Sequence, residues 1–156
     1  MLPELDSFHD LLDKLEYDKN RFSTTSHIYE LLDCLLTLNA LPEWIINSEV
    51  ENDKLKELAK EKMLIMRGIN FDLDENLISQ ELNHQLRLIR LVCNHAKHNT
   101  NSKLIPKIER EYDASFPMDF PVKFGFVISV GNKKVDAGFI IDSITTFWKT
   151  AIAVQR

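Results

Sequence analysis

The sequence predicts a mainly α bundle of four or five helices, with a C-terminal β-hairpin leading into the last helix. Three observations carry this. Apolar residues recur every three or four positions through most of the first 98 residues, as on the buried face of amphipathic helices. Val122, Phe124, Phe126, Ile128 and Val130 then alternate with other residues, a strand period, and Gly131-Asn132 follows as a turn. The composition is that of a folded protein: 156 residues, 44% hydrophobic and 28% charged, with 4 Gly and 5 Pro. At about 100–200 residues per domain this is one domain over 1–156, able to bury roughly 68–70% of its unfolded surface without a metal or disulfide. Disordered, collagen-like and disulfide-scaffold classes are excluded.

Leu5, Phe8, Leu11, Leu12 and Leu15 define a first helix over about 4–18. The run Ser23-Thr24-Thr25-Ser26 offers N-cap oxygens for a second, whose apolar face is Ile28, Leu31, Leu32, Leu35, Leu36 and Leu38. Pro42 suits the first turn of a further helical piece carrying Trp44 and Ile45. Asn52 or Asp53 caps a third helix, and Gly68 stands where its left-handed end would fall. From about 75 to 98, Ile78, Leu82, Leu86, Ile89, Cys93 and Ala96 form one buried stripe. Pro106, Pro117 and Pro121 then punctuate an irregular connection. Val135 to Ile140 completes the hairpin, and Asp142 caps a last helix with Ile144, Phe147, Trp148 and Ile152. A lone hairpin is unstable in water, so it must pack on the helices or pair with another chain.

Two cysteines, Cys34 and Cys93, lie inside helical patterns and suit a reducing cytosol, where buried thiols act as small hydrophobes. No basic-then-apolar leader precedes Asp6, and the purely apolar runs are far shorter than the ~20 residues that span a bilayer. The expectation is a soluble cytoplasmic protein without a membrane partner. Net charge is −5, against indiscriminate nucleic-acid binding, but it is unevenly spread. Residues 1–80 carry 17 acids and 8 bases, whereas residues 81–110 carry 2 acids and 6 bases together with three of the five histidines. Such a basic block is compatible with one phosphate-bearing ligand or with a solvated face.

That block ends the long fourth helix as Arg87-Leu-Ile-Arg90-Leu-Val-Cys-Asn94-His95-Ala-Lys97-His98. At about 100° per residue, Arg90, Asn94, Lys97 and His98 share one side, and His95 sits about 140° round, beside Arg87 and Leu91. A histidine moves protons near neutral pH, and a guanidinium holds a phosphate through two parallel bonds. Together they are the minimum for metal-free cleavage of RNA. Cations in a last helical turn also simply favour the negative end of the helix dipole.

The helical content and the Arg90-x4-His95 element resemble the HEPN superfamily of small helical bundles, which carry an Arg-x4–6-His motif. The resemblance implies, for nuclease members, a metal-independent RNase site built from Arg and His, usually across a homodimer. By resemblance, Arg90 would take the Arg role and His95 the His role; in the ribonuclease reading, His95 or His98 is the general acid/base. Leu91 stands where those members typically carry a polar residue directly after the Arg. A second pair, Arg21-x5-His27, straddles an expected helix cap. The string Cys93 to His98 also resembles the Asn-x-x-Lys-His signature of uncharacterised phage and mobile-element proteins. That likeness makes Asn94, Lys97 and His98 the shared residues, with Trp44 and Phe147-Trp148 as companions.

A metal centre is the weaker alternative. Glu81-x-x-His84 has the step of a bundle metal site, but only Asp6-x-x-His9 loosely repeats it, and Cys93 belongs to the buried stripe. No Gly-rich phosphate loop or Gly-x-Ser-x-Gly elbow occurs. No cofactor or metal is expected. Two readings of different class remain. The first is a HEPN-like accessory or partner-binding module from a mobile element, expected as a homodimer. The second is a HEPN-type endoribonuclease, a toxin or defence effector with an RNA target or antitoxin partner. In both, Arg87, Asn94 and Lys97 are ligand or partner contacts.

Overall fold

The computed structural model describes residues 5–98, 105–111 and 125–154, in which five helices are joined to a three-stranded antiparallel sheet. Helix α1 spans Phe8–Thr25, α2 Ile28–Ile46, α3 Asp53–Met66, α4 Leu82–His98 and α5 Ala137–Val154. Strands β1 (Lys107–Glu111), β2 (Gly125–Val130) and β3 (Lys133–Asp136) lie between α4 and α5.

Capping chemistry sets the boundaries. α1 begins at Phe8 instead of position 4 because Ser7 is extended and forms a capping box with Asp10. The Ser7 hydroxyl accepts from the Asp10 N–H at 3.2 Å, and the Asp10 carboxylate accepts from the Ser7 N–H at 3.0 Å. The expected caps of α2 instead close α1. Ser23 and Thr24 donate to the Asn20 carbonyl and Thr25 to that of Arg21, while Ser26 turns left-handed at φ 50°. His27 caps α2, its Nδ1 accepting from the Tyr29 N–H. α2 then runs unbroken through Pro42, where a new piece was expected, at the cost of one ladder bond that proline cannot donate. Asn52 caps α3 through the Leu55 N–H, and Gly68 ends it at φ +76°, both as expected.

α4 starts at Leu82, not near 75. Asp74 instead caps a short 3-10 turn, Glu75–Leu77, and Ile78 is buried ahead of the helix. The buried face of α4 is wider than a single stripe, because Leu88 and Val92 join Leu86, Ile89 and Cys93.

The sheet exceeds the expected hairpin by one strand. β1 pairs with β2, with Ile108 opposite Ile128, and β2 pairs with β3, with Ile128 opposite Val135. Val122 and Phe124 of the alternating run lie outside the described residues. The second hairpin strand ends at Asp136, because that side chain accepts from the Phe139 N–H at 2.8 Å and starts α5. Asp142, expected as the cap, lies inside α5 and pairs with Lys19 of α1 at 3.1 Å.

The central helix is α2, which packs on α1, α3, α4 and α5, while α5 also covers β2 and β3. Leu35, Leu38, Ile89, Ile128, Ile144 and Trp148 are fully buried in the resulting core. Among the described helices, α5 is the one long and apolar enough to cross a bilayer. It lays Ile140, Ile141, Ile144, Trp148 and Ile152 into this core, an arrangement compatible with a soluble protein.

Candidate functional site

The cationic groups of α4 are committed first to the bundle. Arg87 is half-buried, and its Nη1 donates at 2.7 Å to the carbonyl of Met66, in the last turn of α3. Its guanidinium lies flat on Gly68, where an added Cβ would stand 2.8 Å from Cζ. Arg87 therefore caps α3 from a neighbouring helix, placing positive charge at the dipole's negative end. Burial, and then the like charge of Arg90, push this guanidinium below its usual range. One turn on, the Arg90 Nη1 reaches the Oδ1 of Asn39 on α2 at 3.4 Å, a long contact. Asn39 is itself buried. Neither arginine has a carboxylate partner among the described residues.

His95 faces elsewhere. Because it stands about 140° round the helix from Arg90, it lines a cleft between the start of α2, the end of α4 and β1. Ile28, Leu32, Val92, Pro106 and Ile108 form its apolar wall, with Lys107 and Glu109 at the strand, around a volume of about 400 Å3. The imidazole Nδ1 is buried there with no hydrogen-bond partner among the described residues. Arg90 does not line this cleft. Thus the two residues that the Arg-x4-His motif would unite are directed to different neighbours. Asn94 is half-buried beyond Arg90. Lys97 and His98 complete α4, and their side chains lie outside what the structure describes.

The other candidates resolve into structure. His84 is buried, accepts the Asp74 N–H at its Nδ1 (3.0 Å), and turns its Nε2 toward Glu81 at 3.4 Å. Phe71 covers the ring at 4.7 Å. The Glu81-x-x-His84 step thereby anchors the segment before α4. No group of three metal-ligating side chains converges among the described residues. Burial, with Asp18 nearby, pushes the Cys34 thiol up to about 12, so it is a poor nucleophile. Arg21 pairs with Glu30 at 3.2 Å, and His27 caps α2, which accounts for the second Arg/His pair.

Sequence reasoning missed β1, and with it the cleft. Lys107-Ile-Glu-Arg-Glu holds one apolar residue, too little for a strand period, and only its pairing to β2 reveals it. A second and larger cleft, of about 730 Å3, lies between the start of α1 and the end of α2, and no sequence signal marked it either.

A scan against family models, a search of curated proteins and a search of solved structures each find no match.

Proposed function

We propose that this chain is a HEPN-like accessory module of mobile-element type that works in the cytosol by binding a protein partner, without catalysis of its own. The observation that supports this reading is the divergence of Arg90 and His95. A phosphate held by the arginine beside Asn39 would not lie in the apolar cleft where the imidazole sits. The cleft itself suits a partner's apolar side chains. The outer edge of β1 beside it is unpaired among the described residues and offers backbone donors and acceptors, to a partner strand or to a second copy in a homodimer.

The endoribonuclease reading keeps one observation in its favour. Arg87 and Arg90 stand one turn apart without a carboxylate partner among the described residues, as anion-binding arginines would. A single experiment separates the readings: incubation with mixed RNA in EDTA, at protein equal to substrate, from about pH 5.5 to 8, where histidine titrates. No cleavage is expected. Cleavage abolished by Arg90→Ala and by His95→Ala or His98→Ala, in variants that still fold, would overturn the module reading. In cells, a photo-crosslinking residue at Ile28 in the cleft is expected to trap a defined protein, and one at Lys60 on exposed α3 is not.

A further inference from the structure

Among the described residues both edges of the sheet are open to a further strand, and the two edges differ. β3 is four residues long and runs directly into α5, and its one carboxylate, Asp136, is taken by the α5 cap. β1 packs chiefly on β2, while α5 covers β2 and β3. Along β1, Ile108 and Arg110 face the helices, because they stand opposite the buried Ile128 and Phe126. The Arg110 guanidinium lies 4.9 Å from the Phe126 ring centre and donates to the Ser26 carbonyl. Lys107 and Glu109 point to the other face and are exposed. Lys107 has no carboxylate partner among the described residues. Glu109 accepts from the Ser129 hydroxyl and meets Lys134, at 3.9 Å, through the same oxygen, Oε2.

An edge strand pairs antiparallel with its own copy around a two-fold axis normal to the sheet. That axis keeps every side chain on its own face, so it passes through a residue and not between two. Centred on Ile108, the pairing sets each Lys107 opposite the Glu109 of the other copy, and the two Ile108 side chains opposite each other. Centred on Lys107, Glu109 or Arg110, it sets that residue against its own like charge. Charged residues on an edge deter foreign strands, and here their order spares this one register.

We propose that the outer edge of β1 pairs antiparallel with the β1 edge of a second copy of this chain, centred on Ile108. This rests on the partner-binding reading and names the occupant of the strand edge as the chain itself. The dyad brings the two apolar clefts side by side, because Ile108 walls each of them. The test is sedimentation equilibrium of the intact chain from about 1 to about 200 μM, where a small interface titrates. A species of twice the 18.2 kDa chain mass is expected. Lys107→Glu and Glu109→Lys should each weaken it about tenfold or more, because each turns both charge contacts into repulsions. An equimolar mixture of the two variants should dimerise as the parent does, since both contacts then join opposite charges. Both side chains are exposed, and recovery in the mixture shows that neither variant had lost its fold. A monomer throughout the range would overturn the proposal, and so would a dimer indifferent to both reversals. A mixture that stays monomeric would overturn it equally. In each of these cases the cross-link at Ile28 still decides whether the cleft binds a different protein.

Discussion

If Arg87 is the C-cap of α3 and not a ligand contact, its removal should be read in stability. Arg87→Ala deletes a charged hydrogen bond to the Met66 carbonyl and the guanidinium plane over Gly68. A bond to a charged donor contributes about 1.5–3 kcal/mol, and the lower end applies because Arg87 is half in solvent. The helix-end charge adds about 0.3–1 kcal/mol. A loss of about 2 kcal/mol follows, or about 4–8 °C in Tm at this chain length. Gly68→Ala carries two penalties: about 1–2 kcal/mol for an L residue at positive φ, and displacement of Arg87 by a Cβ 2.8 Å from Cζ. In the Arg87→Ala background only the first should remain. The double-mutant cycle in urea, followed by emission of the fully buried Trp148, should therefore show about 1 kcal/mol of coupling. Additive variants, or an Arg87→Ala protein within about 0.5 kcal/mol of the parent, would refute the capping role and return Arg87 to the ligand set.

Gly131, at φ +58°, has the Glu75 carboxylate where its Cβ would be, and that carboxylate accepts from the Asn132 N–H at 3.0 Å. Gly131→Ala should cost about 2 kcal/mol in the parent, and about half of that in Glu75→Ala, as measured by chemical denaturation. Glu16 on α1 is bonded to Lys149 on α5, which holds its carboxyl below the usual range against a smaller opposing effect of burial. A depressed folded value means that this contribution is complete above the unfolded value of 4.5 and is lost as pH falls through the folded one. Lys149→Met should therefore lower Tm at neutral pH and flatten its decline in acid, as a thermal scan against pH would show.

How much of this was legible follows from the range of each signal. The apolar spacing of Leu11, Leu15, Leu35, Leu38, Leu86 and Ile89 marked core faces correctly, because burial of a helix is a local pattern. Boundaries fared worse where two neighbours could claim the same polar residues. The Ser23–Ser26 run reads as an N-cap by composition, yet its hydroxyls turn back to Asn20 and Arg21. Val135 to Ile140 has no clear period, and the capping by Asp136, the one charged residue inside it, divides it between strand and helix. In the site, the helical angle separating Arg90 from His95 was legible, but what each faces was not. Asn39 and Ile28 lie more than 50 residues away and Ile108 sits on a separate strand, and no local spacing encodes them.

The position of α5 in the chain constrains how the protein is made. α5 closes the core against α2, α4 and two strands, and it is tied to α1 by Lys19–Asp142 and Glu16–Lys149. During synthesis, everything up to Asp136 must leave the ribosome before the helix that packs on α2, α4 and the sheet exists. The nascent bundle thus carries open apolar helix faces while translation continues, a window in which chaperone binding or misassociation competes with folding. Slow codons placed before α5 would lengthen that window. The yield of folded protein should then depend on translation rate even though the native state is unchanged.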